Sequence, residues 1–163
     1  MSETKDRTQM ESNNSKELKV SAIKDGTVID HIPAQNLFKV ISLLGLEKIP
    51  NAITFGTNLE SKKLGRKSII KVSDRFFEDD EINKIALVAP EAKLNIIKDY
   101  EVVEKRQVSL PDELTGYVRC FNPKCITNHE DITTHFFVVS KMPLALKCRY
   151  CEKVTTEEHM VIE

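Results

Sequence analysis

Apolar Leu18, Val20 and Ala22 alternate with polar Lys19 and Ser21, the period of a half-buried strand. The run Lys24-Asp25-Gly26-Thr27 predicts a turn, and Val28 and Ile29 resume the strand after it. Pro33 then suits the first turn of a helix. Leu37, Val40, Ile41 and Leu44 recur on one face of that helix, and Gly45 sits where a left-handed C-terminal cap belongs. Residues 52–57 and 68–72 read as strands around a Lys-rich hairpin loop. Ser73 or Asp74 can cap a second helix that carries Ile82, Ile85 and Leu87 and stops ahead of Pro90. Two further strands are expected at 93–97 and 100–103. Strand, helix, strand, strand, helix, strand is the split βαβ order of a ferredoxin-like α+β domain, here with one extra strand at its end.

The flanks read differently. Residues 1–17 are rich in Ser, Thr, Asn, Lys and Glu, with Met1 and Met10 as large apolar exceptions, too little to offset the entropy of ordering; they predict a disordered tail. The stretch Ser109-Leu110-Pro111-Asp112 predicts a linker, which divides the ordered part into residues 18–110 and 111–163.

Charge adds little. The chain holds 24 Lys and Arg against 25 Asp and Glu, so no excess of either sign advertises nucleic acid, a membrane surface or an acidic substrate as partner. Apolar runs are a few residues long, and the first residues are polar, so neither a membrane span nor a secretory signal is expected and a cytoplasmic location is the default. Thiols stay reduced there, which favours a metal site over disulfides.

The cysteines carry the clearest chemistry. Cys120 and Cys125 form one short knuckle, Cys148 and Cys151 another, with a strand-rich stretch between them. Four thiolates at these spacings can close a tetrahedron around zinc, leaving no open position to activate water, so the expected Zn2+ is structural, one per chain. A segment this short buries little core, and metal binding is expected to decide whether it folds. Iron in a rubredoxin-like site would use the same donors. His129, His135 and His159 are surplus to a tetrahedron already filled and read as surface residues. Phe136, Phe137, Val138 and Val139 read as a strand of the small sheet. Four-cysteine ribbons with aromatic strands also occur in nucleic-acid binders, but the cysteine region has no net positive charge to support that reading.

Residues 18–110 contain no Cys, a lone His31, scattered carboxylates and no Gly-rich phosphate loop, so no active site is expected. Polar and basic residues interleaved with strand positions remain: Asp30, His31, Lys71, Asn95 and Lys105. Lysines on strands of one sheet could neutralise a phosphate chain.

Several segments together resemble the regulatory chains of aspartate carbamoyltransferase. They are Gly26-Thr-Val-Ile-Asp-His-Ile-Pro-Ala-Gln35, Gly65-Arg-Lys-Ser-Ile-Ile-Lys71, Ala89-Pro-Glu-Ala92 with Asn95, Tyr100-Glu-Val-Val103, and Leu146-Lys-Cys-Arg-Tyr-Cys-Glu152. The resemblance runs from about Leu18 to Glu163. It implies a non-catalytic subunit of pyrimidine biosynthesis whose first domain binds CTP as inhibitor and ATP as activator at one site, with UTP beside CTP in some members. By position it implies that Asp30 and the backbone near Ala22 and Ile23 read the base and that His31, Lys71 and Lys105 meet the phosphates. Val20, Asn95, Ile97, Tyr100 and Val102 would complete the pocket, and Cys120, Cys125, Cys148 and Cys151 would hold zinc. It further implies regulatory homodimers that bridge catalytic trimers, six chains of each kind. Ser21 stands where some relatives carry Glu, and Lys93 where some carry Thr.

Overall fold

The computed structural model describes residues 22–163; the expected tail at 1–17 and most of the expected strand at Leu18, Val20 and Ala22 lie outside them. Eleven strands and two short α-helices are described. The first seven elements are β1 (Gly26–Pro33), α1 (Leu37–Leu43), β2 (Ile53–Ser61), β3 (Gly65–Ser73), α2 (Asp79–Ile85), β4 (Lys93–Lys98) and β5 (Glu101–Gln107). Their strands form one antiparallel sheet in the order β2-β3-β1-β4-β5. Each of the two helix-bearing connections passes over a neighbouring strand, the split βαβ arrangement, and β5 extends the sheet beyond β4. The α+β, ferredoxin-like expectation therefore holds for these elements.

One face of the sheet packs against the helices. Ile29, Ile70, Val72 and Leu94 are buried there with Leu37 and Val40 of α1 and Ile82 and Ile85 of α2. Burial of such side chains contributes roughly 1.5–3 kcal/mol each before entropy is charged. Thr27 Oγ1, fully buried, donates to the carbonyl of Arg75 at 2.7 Å, which satisfies the hydroxyl.

Several boundaries moved. β2 and β3 run longer than the expected 52–57 and 68–72, α2 ends at Ile85 short of Leu87, and Tyr100 belongs to the turn ahead of β5. The expected turn at 24–27 is shorter, because Gly26 and Thr27 already pair with Ser73 and Val72 in β1. Gly26 also requires its φ of 139°: a Cβ there would lie 2.1 Å from the Val72 carbonyl oxygen. Pro33 ends β1 rather than opening the helix, and α1 begins at Leu37 after a 3₁₀ turn over Ala34–Asn36. Gly45 does take the left-handed cap, φ 63°, and its N–H bonds to the Ser42 carbonyl. Ser73 and Asp74 do not cap α2. Their carbonyls accept from Asn51 Nδ2, and Glu78 caps instead through a capping box with Glu81.

The remaining strands are β6 (Glu113–Thr115), β7 (Val118–Arg119), β8 (His135–Lys141), β9 (Leu144–Cys148), β10 (Val154–Thr156) and β11 (Val161–Ile162). They make a four-stranded sheet in the order β10-β9-β8-β6 and a β11-β7 ribbon. Along β8 only Phe136 is fully buried, Val138 is partly covered, and Phe137 and Val139 point outward, so the four-residue apolar run alternates like a one-sided strand. The segment between β5 and β6 is not an open linker: Val108 and Leu110 are buried in the apolar cluster that continues into the cysteine region. No helix among the described residues is long and apolar enough to cross a membrane.

Candidate metal centre and ligand-binding face

Two chain reversals bring the four cysteines together. In the first, the Cys125 N–H donates to the Asn122 carbonyl at 3.0 Å, and Asn128 Nδ2 donates to the carbonyls of Cys120 and Asn122. In the second, which follows β9, the Glu152 N–H donates to the Cys148 carbonyl at 2.9 Å, and Glu152 takes a left-handed φ of 63°. All four Sγ atoms lie within 4.8 Å of one another. Cys120 and Cys151 are 3.6 Å apart, and Cys125 and Cys148 3.8 Å. A tetrahedron with metal–sulfur bonds of roughly 2.3 Å has edges of about 3.8 Å, so the donor set fits one tetrahedral ion.

The electrostatics suit the same purpose. Burial pushes the Cys120 and Cys148 thiols above the ordinary range, against hydrogen bonds from backbone N–H groups, Asn122 for Cys120 and Cys151 and Tyr150 for Cys148. At Cys151 burial also opposes ionisation, but the Lys153 N–H and the Asn122 side chain outweigh it and bring the thiol down to about 7. Thr127 Oγ1 donates to Cys125 Sγ at 3.2 Å. Such second contacts orient ligands. None of the three histidines joins the cluster; His135 instead meets Glu113 at 2.9 Å, and His159 stacks on Phe121 with centroids 4.4 Å apart.

The second site is the sheet face turned away from the helices. Directly opposed residues in an antiparallel ladder share a face. Lys71 of β3 opposes Val28 of β1, Val28 opposes Asn95 of β4, and Asn95 opposes Lys105 of β5, so one row crosses four strands. Two residues along, Gly26, Ile97 and Val102 make a second row. In the other direction Asp30, Lys93 and Gln107 make a third. Val28 and Ile97 are buried yet stand outside the main apolar cluster, as residues of this separate face should.

The third row opens into a concavity of about 480 Å³ lined by Asp30, His31, Lys93, Asn95, Lys105, Arg106 and Gln107. A bulge between Ile29 and Ile32 re-aims β1 there, and His31 takes a φ of 60°. The His31 N–H donates to Asp30 Oδ1 at 2.6 Å, and Lys67 Nζ closes on the same carboxylate at 2.9 Å. His31 Nδ1 is buried without a hydrogen-bond partner among the described residues and lies 3.6 Å from Asp30 Oδ2. Burial lowers the pKa of Lys71, with Asp30 pulling the other way.

The apolar end is built by the β4–β5 turn. Asp99 and Tyr100 both have positive φ, 51° and 65°, the geometry of a two-residue I′ hairpin. The Tyr100 N–H donates to the Lys24 carbonyl, and the Asp99 N–H to Asp25 Oδ1, which brings the segment after Ala22 and Ile23 against the turn. Tyr100 and Val102 are exposed beside buried Ile97.

Of the residues singled out from sequence, Val20 lies outside the described residues. Asp30, His31, Asn95 and Lys105 line the concavity; Lys71 shares their face; Ile97, Tyr100 and Val102, with Ala22 and Ile23 nearby, form the other end. Asp30 is thereby two rows, roughly 13 Å of strand, from Ile97 and Val102. Sequence reasoning gave no role to Lys67, Lys93, Arg106 or Gln107. The signal for Lys93 was its period-two relation to Asn95; the other three depend on cross-strand register.

Two family models match. One described as the aspartate carbamoyltransferase regulatory chain, allosteric domain, covers residues 18–109, and one described as its metal binding domain covers residues 112–161. The aspartate carbamoyltransferase regulatory chain of Bacteroides fragilis is 58% identical over 151 residues, 93% of this chain and 99% of that one. That of Phocaeicola vulgatus is 59% identical over 147 residues, 90% of this chain and 95% of that one. The archaeal counterpart from Pyrococcus abyssi is 57% identical over 147 residues, 89% of this chain and 97% of that one. With an allosteric and a metal-binding domain matched in sequence and four cysteines converged in space, the chain belongs to the family of aspartate carbamoyltransferase regulatory chains, which are non-catalytic.

Proposed function

We propose that this chain is the nucleotide-sensing regulatory subunit of an aspartate carbamoyltransferase in the pyrimidine pathway, with residues 18–110 as the nucleotide domain and 111–163 as the domain that meets the catalytic chain. The row of Lys71, Asn95 and Lys105 carries the reading. It sets two ammonium groups and an amide on one face between an apolar end and the polar row of Asp30, Lys93 and Gln107. A pyrimidine or purine stacks on Tyr100 beside Ile97 and Val102, with the backbone at Ala22 and Ile23 reading its edge; Val20 is proposed as a further contact on the family resemblance alone. The phosphates of CTP or ATP run along Lys71 and Lys105 toward His31. UTP would share these contacts. Asp30, held between Lys67 and the His31 N–H, serves best as the group that fixes His31 and Lys67 at the phosphate end, rather than as a reader of a base two rows away.

Zn2+ is the metal best suited to four converging cysteines, one per chain, held by Cys120, Cys125, Cys148 and Cys151. It would supply a fixed cross-link between the two knuckles and no chemistry at substrate. A nucleotide that prefers one quaternary state biases it through this rigid unit, and a coupling of about 1–3 kcal/mol suffices for visible inhibition or activation. The assembly is a cytoplasmic dodecamer, six regulatory chains in dimers and six catalytic chains. Calorimetry with CTP and ATP on the metal-loaded chain tests the reading. Competing binding that both Lys71→Ala and Lys105→Ala weaken by about tenfold or more supports it. No binding by the folded chain, alone or with its catalytic partner, would reduce the subunit to an assembly scaffold.

A further inference from the structure

The cations around the concavity differ in whether a carboxylate already answers them. Lys63 is matched by Glu91 at 2.6 Å, Lys67 by Asp30 at 2.9 Å, and Arg106 by Asp79 of α2. Lys93 and Lys105 make no ion pair among the described residues. Glu91, two residues before Lys93, is held below the usual carboxylate range first by its hydrogen bond to Lys63, and only weakly by Lys93 and His31. Lys105 already has a place in the phosphate row. Lys93 does not.

Its position is defined by the ladder. Lys93 stands between Asp30 of β1 and Gln107 of β5. It is exposed, lines the same concavity as His31 and Lys105, and lies on the same face as Asn95, roughly 7 Å further along β4. Asp30, the one carboxylate in its row, is occupied by Lys67, so the row presents a surplus positive charge and the Gln107 amide to whatever enters. A compact, rotatable ammonium on a flexible stem meets a phosphate as a point charge.

Resting on the nucleotide reading above, we infer that Lys93, with Gln107 opposite it, holds the terminal phosphate of a bound nucleoside triphosphate and sets the preference for triphosphates over diphosphates. The Lys71–Lys105 row holds the phosphates nearer the sugar, which both ligands have; the Lys93 row is reached by the third.

Calorimetric titration of the full, metal-loaded chain with CTP and with CDP tests this, using the unsubstituted chain, Lys93→Thr, Lys93→Arg and Lys71→Ala. Loss of one charge-assisted contact to the third phosphate should cut the CTP-to-CDP affinity ratio about tenfold in Lys93→Thr while CDP affinity is unchanged. Lys93→Arg, which keeps the charge, should retain most of the ratio, and Lys71→Ala should weaken both ligands alike. Because Lys93 is exposed, its variants should melt with the parent. An unchanged ratio in Lys93→Thr, with Lys71→Ala still weakening both ligands, would overturn the assignment and leave the nucleotide reading standing. Failure of the unsubstituted chain to bind either ligand, both alone and with its catalytic partner, would remove both readings.

Discussion

The two sites of this chain are built in opposite ways. The metal centre is local twice over: each knuckle is a tight turn with its own hydrogen bonds, and a few longer-range contacts join them, the return of β9 beside β8 and the bonds of Thr134 to Gly116 and Val118. The proposed nucleotide face is non-local throughout, because Lys71, Asn95 and Lys105 meet only when β3, β1, β4 and β5 adopt one register. A one-residue slip of β5 against β4 would send Lys105 to the helix side of the sheet. The metal unit therefore owes its site to ligand identity and spacing, and the sheet unit owes its site to a core that fixes register. The two should fail under different insults.

Metal removal is the strongest way to separate them. In the metal unit the buried apolar residues are few, chiefly Leu114, Val118, Phe136, Leu144 and Leu146, and three of the four cysteines are themselves buried in that cluster. Metal binding of this kind supplies on the order of 10 kcal/mol of folding free energy. A strong chelator, or Cys125→Ala, should abolish amide-exchange protection in β8 and β9 while β1, β3 and β4 stay protected. Equal loss in both units would show that the sheet cannot stand without its neighbour.

The same contrast explains what could be read from the chain alone. Cysteine spacing announced the metal site because two short knuckles are a local pattern. The α1 face and the Gly45 cap were legible for the same reason: Leu37 and Val40 are three residues apart, and glycine accepts φ 63°. The start of α2 was not. Ser73 and Asp74 look like caps, but Ser73 is drawn into β3 by pairing with Gly26, and Glu78 takes over through its exchange with Glu81. Pro33 likewise suits a helix start by propensity, yet it pairs with Lys67 at the end of β1. Lys93 and Gln107 were unreadable as partners, since 14 positions separate them and only the hairpin at Asp99 and Tyr100 brings them together.

A weaker probe asks whether the units are coupled at all. Lys84 Nζ of α2 lies 3.8 Å from the centre of the Tyr117 ring, which enters the cysteine region, and Arg106 of β5 pairs with Asp79 at the other end of α2. The helix thus touches the five-stranded sheet at one end and the metal unit at the other. A double-mutant cycle on thermal unfolding with Lys84→Met and Tyr117→Leu should give an interaction of about 0.5–1 kcal/mol, the range for a half-exposed cation over a ring. A value near zero would make the units thermally independent at this contact and leave Val108, Leu110 and their neighbours as the joint.

The smallest expected effect concerns charge rather than structure. Burial holds the Lys71 pKa below the ordinary lysine value of 10.5, with Asp30 only partly restoring it. Bound phosphate favours the ammonium and raises that pKa, so nucleotide affinity is full below the free-chain pKa of Lys71 and declines as pH rises through it. The decline should begin at lower pH than an ordinary exposed lysine would give. Lys71→Arg keeps its charge and should postpone it. Affinity for CTP measured between neutral and alkaline pH, with amide-exchange protection of β8 followed in parallel, distinguishes the two sites. The sheet site should lose ligand through one titrating ammonium while the metal unit keeps its fold. A pH profile identical for the parent and Lys71→Arg would mean that Lys71 does not face the phosphates.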